Sequence, residues 1–378
     1  MDTPIISAMS VAKNPATAVA ELAAQFASAN LGFLLFFCST EYPLEELAAA
    51  LEHEFPGLPK SGCTSAGELN LQGYAQGSIV ALGFEVNEFS VAIGPIQQLD
   101  TFDLLQAQAL IDTLLPCEAE FGQPQRQSFA LTLFDGLSAQ EELALFSLQT
   151  ALGRIPHFGG SAGDDNQLTD TYVYYAGTFH TNAAVLLMFT TALPFRVFST
   201  HHMEPRAEKF VVTASSADTR TVYELNAEPA ATAYAQFVGV TTDQLNAAVF
   251  AMQPLAVRMG HEYFVRSIQR VNADGSLTFY CAVGEGAVLT AMETQPILPD
   301  LEQRFAAIEG EIGMPLVTIA CDCVLRRLEC EQRNEQAAAS AFYQQHHVVG
   351  FNTYGEHFNG IHINQTFSGV VIGRGGYG

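Results

Sequence analysis

The sequence predicts an α/β fold of the mixed α+β kind, in which mixed sheets pack together and helices lie outside. One observation behind this prediction is a strand, helix, loop and hairpin pattern that occurs twice in the N-terminal half, as an internal duplication would produce. A second is that each repeat contains pairs of strands typical of hairpins, which exclude a purely parallel sheet. The third is size, because 378 residues with 27 Phe can bury a large core and divide into two domains.

The duplication is clearest at two glycine loops, residues 58–68 and 155–165, which read LPKSGCTSAGE and IPHFGGSAGDD. Each loop has a Pro, a Gly three residues later, and then Ser-Ala-Gly followed by an acid. The flanking segments repeat in the same order, so the match between the loops does not stand alone. We therefore place the repeats at residues 31–100 and 129–202.

Hydrophobic periodicity predicts the elements of the N-terminal half. Leu44, Leu47 and Leu51 share one face of a helix, and Gly153 ends another. Each repeat closes with two strands that we expect to pair with each other. The predicted elements are helices at 15–30, 44–55 and 139–152, strands at 31–39 and 129–134, and strand pairs at 78–84 with 89–96 and 183–190 with 195–200.

A smaller α/β C-terminal half follows. Residues 204–219 are charged or small, so we place a domain boundary there and divide the chain into 1–220 and 221–378. Asp274-Gly275 marks a hairpin turn between strands. The predicted elements are helices at 228–237 and 299–312, strands at 263–271, 276–283 and 316–320, a long helix from there to Gln344, and closing strands at 348–351 and 361–372.

Charge and apolar patterning limit the classes of partner. The 40 acidic residues outnumber the 16 basic ones, and this argues against DNA, RNA or an anionic membrane as partner. The first thirty residues lack the features of a signal peptide, and the apolar run at 31–38 is too short to cross a bilayer. Seven scattered cysteines suit a reducing compartment. We therefore expect a cytoplasmic protein.

Residues 159–163, GGSAG, fit the G-x-S-x-G pattern of a hydrolase nucleophile, with Ser161 in the central position. That pattern requires a strand that turns sharply into a helix, whereas this loop follows a helix and precedes strands. We interpret it instead as a tight turn with close backbone approach.

A cysteine cluster is the next candidate. Cys321 and Cys323 follow a predicted strand, and Cys330 shares a helical face with Cys323. Three thiolates and a His could hold zinc or an iron–sulfur cluster, whereas the spacing matches no common metal motif. The alternative is that all three are small buried hydrophobes.

Histidines form the third set of candidates. His201 and His202 are adjacent in a strand pattern and point to opposite faces, and His362 shares a strand face with Asn364. The sequence contains no C-x-x-C-H, so covalent c-type haem is excluded. Non-covalent haem requires an axial His, an apolar slot, and cations or hydroxyls at the rim.

Several segments together resemble the FIST domain, a two-part sensory module of bacterial signal transduction. The resemblance extends from about residue 31 to 372, and its most specific parts are GFNTYGE and HINQT near the C-terminus. The CDC segment followed by a further Cys, and HHMEP at 201–205, are similar to the nitric-oxide-sensing haem proteins called NosP. The matching segments are YFVRSIQRVNADGSLTFYC, TIACDCVLR and VGFNTYGEHFNGIHINQTF.

This resemblance implies a b-type haem held through a His, nitric oxide bound to ferrous iron, and signalling to a separate histidine kinase or cyclic-di-GMP enzyme. It implies a sensor and not an enzyme. On strand-face geometry we expect the axial ligand to be His202, then His362, with His201 and His261 after them. The oligomeric state stays open, a homodimer included.

Two alternatives remain. A FIST module could bind a small organic ligand such as an amino acid at the glycine loops, through backbone amides and nearby acids. A cysteine-based metal or redox sensor would use Cys321, Cys323 and Cys330. The loop candidates for the organic ligand are Gly62, Ser65, Gly67, Gly159, Ser161 and Gly163.

Overall fold

The computed structural model describes residues 3–115 and 126–374, and the chain there forms three similar repeats and one inserted domain. The first repeat comprises β1 (Ile5–Ser10), α1 (Pro15–Gln25), β2 (Leu31–Ser39), α2 (Leu44–Glu54), β3 (Lys60–Ser65), β4 (Glu68–Asn70), β5 (Gly73–Ala75) and β6 (Ile79–Glu85). The second comprises β7 (Phe89–Gln97), α3 (Leu104–Leu114), β8 (Gln127–Phe134), α4 (Glu141–Leu152), β9 (His157–Ser161), β10 (Val173–Tyr175), β11 (Thr178–His180) and β12 (Ala183–Thr191).

The third repeat is interrupted after its first strand, β13 (Phe195–Thr200). The inserted domain comprises β14 (Met203–Ser216), β15 (Thr221–Leu225), β16 (Glu228–Pro229), α5 (Ala230–Val238), α6 (Ala247–Met252), β17 (Leu255–Met259), β18 (Glu262–Arg266), β19 (Ile268–Val271), β20 (Leu277–Phe279) and β21 (Val288–Thr294). The repeat then resumes with α7 (Ile297–Ile312), β22 (Pro315–Cys323), α8 (Val324–Arg333), α9 (Gln336–Gln345), β23 (Val348–Thr353), β24 (Glu356–Phe358), β25 (Ile361–Ile363) and β26 (Phe367–Gly373).

The repeats exchange strands in a closed cycle. Each builds most of one six-stranded mixed sheet, and each sends its short hairpin to the edge of another repeat's sheet. The inserted domain has an eight-stranded sheet of its own. The strand orders are β1-β6-β2-β3-β10-β11 for sheet I, β7-β12-β8-β9-β24-β25 for sheet II and β13-β26-β22-β23-β4-β5 for sheet III.

The predicted mixed α+β class is confirmed, but the predicted pairing of consecutive strands is wrong. β6 pairs with β1 and β2, whereas β7 pairs with β12. In the same way β12 stays in sheet II and β13 pairs with β26 in sheet III. The short connections resemble hairpin turns in the sequence, yet the chain passes at each one from one sheet to the next.

The glycine segments were predicted to be loops, and this is wrong for residues 60–65 and 157–161, which form the buried parallel strands β3 and β9. β3 runs beside β2, and β9 runs beside β8. A Cβ atom at Gly62 would overlap the carbonyl oxygen of Phe36, and one at Gly159 would overlap that of Thr132. Gly350 on β23 has the same relation to Ala320. The glycines permit close approach of two strands, which sequence periodicity does not reveal.

One apolar core unites the three sheets. Phe37 of sheet I stacks on Phe351 of sheet III with ring centroids 4.4 Å apart, and Phe129 and Phe158 of sheet II belong to the same cluster. Helices cover the outer face of each sheet, where separate apolar clusters hold them. The common core sits between the sheets, so a side chain on an inner face is far from solvent.

The C-terminal half differs from its prediction at two places. Residues 203–216, where the boundary was expected, form the long strand β14. The predicted long helix is two helices, because Asn334 adopts a left-handed conformation with φ of 56° and ends α8. The turn at Asp274-Gly275 joins β19 to β20 as predicted. The division at residue 220 stays a prediction.

Among the described residues, no helix combines the length and the apolar character needed to cross a membrane.

Candidate functional site

Three short segments with the same pattern meet where the central parallel strands end. Each segment begins at the last residue of its strand: Ser65-Ala66-Gly67-Glu68 at the end of β3, Ser161-Ala162-Gly163-Asp164 at the end of β9, and Thr353-Tyr354-Gly355-Glu356 at the end of β23. The third copy was missed in the sequence because Thr and Tyr replace Ser and Ala. The structure therefore brings the two predicted glycine segments together and adds a third.

Backbone hydrogen bonds in and beside these segments occupy several of the amides that a ligand could use. Ala66 N donates to Asn352 O at 2.9 Å, and Asn352 N donates to Gly67 O at 2.7 Å. Gly163 N donates to Thr64 O at 3.1 Å, and Ser161 N donates to Gly355 O at 2.8 Å. A Cβ atom at Gly163 would lie 2.6 Å from Ala66 N. In this arrangement the glycine segments bind one another.

Two buried acids complete the first and third segments. Glu68 accepts hydrogen bonds from Ser78, and Glu356 accepts them from Thr366. Burial raises the pKa of each carboxyl group to about 7. The hydroxyl of Ser65 lies close to two oxygens, Glu68 Oε1 and Cys38 O, but has only one proton to donate. If Glu68 is protonated, it can donate to Ser65 while Ser65 donates to Cys38 O. Two acids are thus partly neutral at physiological pH.

A polar cluster lies between α4, the β24–β25 hairpin and the inserted domain, and we call it the histidine–carboxylate cluster. Arg220 Nη2 lies 2.9 Å from carboxylate oxygens of both Glu141 and Glu142. His362 Nδ1 lies 3.6 Å from Glu141 Oε2 and 3.3 Å from Glu142 Oε1. Cys281 Sγ, close to His362 and Glu142, donates to Asn364 Oδ1 at 3.0 Å.

Two more buried histidines extend this cluster. His357 Nε2 lies 3.7 Å from Glu141 Oε1, and its Nδ1 lies 2.9 Å from Thr132 Oγ1. The same hydroxyl lies 2.8 Å from His157 Nε2. Burial lowers the pKa of His357 and lowers that of His157 to about 3, so both rings are neutral. A neutral imidazole has a lone pair that can accept a proton or bind a metal.

The charges of the cluster compensate one another. Burial would raise the pKa of Glu141, but His362, His357 and Arg220 lower it to about 2. Burial would lower the pKa of His362, but Cys281 and Glu141 raise it above its usual value. The cluster therefore contains a carboxylate at Glu141 and an imidazolium at His362.

Ser161, the nucleophile candidate, belongs to the cluster as well. Its hydroxyl donates to Glu141 Oε1 at 2.5 Å and lies 3.4 Å from His357 Nε2. Only 1% of the residue is exposed, and the hydroxyl proton goes to the carboxylate and not to the histidine. Ser161 thus acts as a structural donor, and no substrate reaches it.

His202, the first candidate for the haem ligand, lies in a different buried network. Its Nδ1 lies 2.7 Å from Arg326 Nη1, and its Nε2 lies 2.8 Å from Glu329 Oε2. Since arginine can only donate, Nδ1 is the acceptor and Nε2 carries the proton. Arg326 also donates to Asp322 at 2.8 Å. Both ring nitrogens of His202 are therefore engaged with protein groups.

His201 and His261 line the same open cleft, although they are far apart in the sequence. The cleft has a volume of about 440 Å³ and lies between β13, β18, α7 and the β24–β25 hairpin. Burial lowers the pKa of His201, so its ring is neutral at physiological pH. The other residues that line the cleft are Ser199, Thr200, Glu262, Tyr263, Phe264, Val265, Arg304, Phe358, Ile363 and Thr366.

The cysteine candidates are not brought together. Cys321 lies in the common core, Cys323 packs in a cluster with Tyr354, and Cys330 packs under the helices of sheet III. All three are buried free thiols, and burial raises the pKa of each. Cys117, the seventh cysteine, lies outside the described residues.

Comparison with protein families identifies two domains in the chain. Residues 32–228 match the FIST N domain, and residues 230–359 match the FIST C domain. The chain belongs to the FIST family. FIST domains are sensory modules of signal transduction and are not catalytic domains. A search of curated proteins found no match.

The FIST match places α4 with Arg220 in the N domain, and Cys281 with His357 in the C domain. The histidine–carboxylate cluster is therefore built by both domains. Sequence reasoning missed Glu141, Glu142, Arg220 and Cys281 as site residues. Acids at the start of a helix are ordinary stabilising residues, so Glu141-Glu142 gave no distinctive signal.

Proposed function

We propose that this FIST protein is a haem-binding sensor of nitric oxide, and that the His201–His261 cleft holds the haem. The observation that supports this is the chemistry of the cleft wall. The wall combines two histidines with apolar side chains such as Phe264 and Phe358. The cation Arg304 lies at its exposed edge. A volume of about 440 Å³ lies within the range of about 300–1,000 Å³ typical of ligand pockets.

The donor set of this cleft fits haem better than the surroundings of the other two histidine candidates. His201 is half-buried and neutral, and an axial ligand must be a neutral imidazole. The hydroxyl of Tyr263, together with Arg304, is a suitable partner for propionates. His202 would have to break a hydrogen bond to Arg326 or Glu329 before it could bind iron. We therefore assign the axial role to His201, with His261 as the next choice.

Haem supplies a ferrous iron that binds nitric oxide. Residues of β13 and β18, which belong to different sheets, would hold the haem. β18 lines the cleft and also contacts β25, so a shift of β18 would change its contact with the β24–β25 hairpin. A separate histidine kinase or cyclic-di-GMP enzyme that binds one arrangement better then reads the signal. Coupling of this kind amounts to about 1–3 kcal/mol.

The experiment is an absorption spectrum of the ferrous protein with and without nitric oxide, recorded after reconstitution with hemin and desalting. We expect a Soret band that shifts with nitric oxide in the wild type and in His202→Ala. His201→Ala should lose the band or show a changed one. A wild type that stays colourless would refute the haem proposal and leave a FIST module for a small organic ligand. A loss of the band in His202→Ala would refute the choice of His201.

A further inference from the structure

The histidine–carboxylate cluster offers ligands that the proposed function does not use. His357 and His362 both come from the β24–β25 hairpin, and Glu141 comes from the first turn of α4. The side chains of Glu141, His357 and His362 are at most 1% exposed. One donor atom from each of the three residues lies within 4.8 Å of the other two.

The distances within the cluster differ from those of ordinary hydrogen bonds. His357 Nε2 lies 3.7 Å from Glu141 Oε1, and His362 Nδ1 lies 3.6 Å from Glu141 Oε2. A direct hydrogen bond between such groups is about 2.7–3.2 Å long. Two ligands bound to one tetrahedral ion at about 2.0–2.1 Å are themselves roughly 3.3 Å apart. The spacing is thus closer to that of ligands around an ion than to that of a packed ion pair.

Two further donors lie close to His362. Cys281 Sγ and a carboxylate oxygen of Glu142 lie within 4.8 Å of a ring nitrogen of His362. These two residues provide further donors close to the three-residue set.

Outer contacts would orient the ligands as they do in established metal sites. Thr132 Oγ1 bonds His357 Nδ1 and leaves Nε2 facing Glu141. Ser161 and Arg220 hold the two oxygens of Glu141 at 2.5 Å and 2.9 Å. Such outer contacts fix the orientation of ligating histidines and carboxylates.

We propose that Glu141, His357 and His362 bind a divalent first-row transition metal ion, with Glu142 and Cys281 as additional ligands within reach. Two imidazoles and one carboxylate form a set used by both Zn²⁺ and non-haem Fe²⁺. The ion would add positive charge beside the carboxylates of Glu141 and Glu142, which Arg220 contacts at 2.9 Å. The ligands come from both FIST domains, so the ion would join them.

The test uses Co²⁺, whose visible spectrum reports its ligands, on full-length protein first treated with a chelator. We expect one equivalent to bind with absorption bands of a low-coordinate site, and Zn²⁺ to displace it. His357→Gln and Glu141→Gln should abolish stoichiometric binding. Thr132→Val should weaken it about 10- to 100-fold. His346→Gln is the matched control, since His346 pairs with Glu309 at 2.8 Å outside the cluster.

Metal analysis of protein as purified distinguishes Zn²⁺ from Fe²⁺. Thermal melts establish that each variant is folded, and Glu141→Gln keeps a hydrogen-bonding group beside Ser161 if His357→Gln does not fold. Less than one equivalent of bound Co²⁺ in the wild type would overturn the proposal, and so would binding that both variants leave unchanged. Neither outcome bears on the cleft, so the haem proposal is tested separately.

Discussion

Arg220 and Glu141 form a buried ion pair, with Nη2 and Oε2 2.9 Å apart and side chains only 8% and 0% exposed. The guanidinium also contacts Glu142, and it lies against the start of α4. This one cation compensates two carboxylates at the place where the inserted domain meets sheet II. The contact therefore matters both for folding and for the chemistry of the histidine–carboxylate cluster.

We predict that Arg220→Met lowers the free energy of unfolding by about 3–5 kcal/mol, because it leaves buried carboxylates without their cation. Urea titration at pH 7 measures this. Arg196→Met is the matched control, since Arg196 pairs with Glu311 with both side chains more than half exposed. It should change the free energy by less than about 1 kcal/mol. Equal effects of the two substitutions would contradict the prediction.

Gly62→Ala should destabilise the protein by about 1–3 kcal/mol or more, because its Cβ would overlap Phe36 O in the adjacent strand. Thermal unfolding gives the effect. Gly310→Ala in α7 is the contrasting variant, because open space surrounds that position. It should stabilise the protein by about 0.5–1 kcal/mol, the usual gain for Ala over Gly in a helix. A neutral Gly62→Ala would mean that the two strands can separate at no cost.

The pKa of Glu68 gives a pH dependence. Burial raises it to about 7, above its value in the unfolded chain. The folded protein therefore retains a proton on Glu68 that the unfolded chain loses. The resulting contribution of Glu68 to the free energy of unfolding is complete below about pH 4 and is lost as the pH rises to about 7. Between pH 5 and 8 the loss amounts to about 2–3 kcal/mol.

When the pH is raised from 5 to 8, the free energy of unfolding of Glu68→Gln should therefore rise by about 2–3 kcal/mol relative to that of the wild type. Parallel urea titrations of both proteins at the two pH values supply the comparison. Glu302→Gln, at an exposed position on α7, should show no such relative gain. The protonated state of Glu68 would be disproved by a difference that does not change with pH.

Arg304→Gln should weaken haem retention in the cleft. It should lower the unfolding temperature by no more than a degree or two, because Arg304 is exposed and its only hydrogen bond to a described residue goes to Ser199 O at 3.3 Å. Transfer of haem to an apo-globin acceptor measures the rate of loss. Arg270→Gln is the control, since Arg270 lies on β19 outside the cleft and its Nε donates to Asn272 Oδ1 at 3.3 Å. An unchanged rate for Arg304→Gln would remove this residue from the proposed site.

The buried thiols should be inert in the folded protein. Burial raises the pKa of Cys38, Cys63, Cys321 and Cys323, and the thiolate is the reactive form. In a Cys117→Ser background we expect little reaction with a disulfide reagent in buffer and reaction of the remaining six cysteines in urea. Rapid modification of one of the three cysteine candidates in buffer would instead favour the redox-sensor alternative.

Periodicity alone was sufficient for most helices and strands, because a 3.6-residue pattern such as Leu44, Leu47 and Leu51 directly reflects burial of one face. It was not sufficient for strand partners. Phe84 and Phe89 are close in sequence and their rings are 5.2 Å apart, yet they belong to different sheets. Pairing depends on the twist and packing of whole sheets, and a short connection does not encode it.

The sequence by itself determined the mixed class, the repeated Ser-Ala-Gly segments and the resemblance to FIST domains, because these depend on local residue order. Only the tertiary structure decided that a third repeat exists, since an inserted domain separates its first strand from the rest. Only the tertiary structure placed Glu141 beside His357 and His201 in one cleft with His261. The physical reason is that strand exchange among three sheets brings distant residues together.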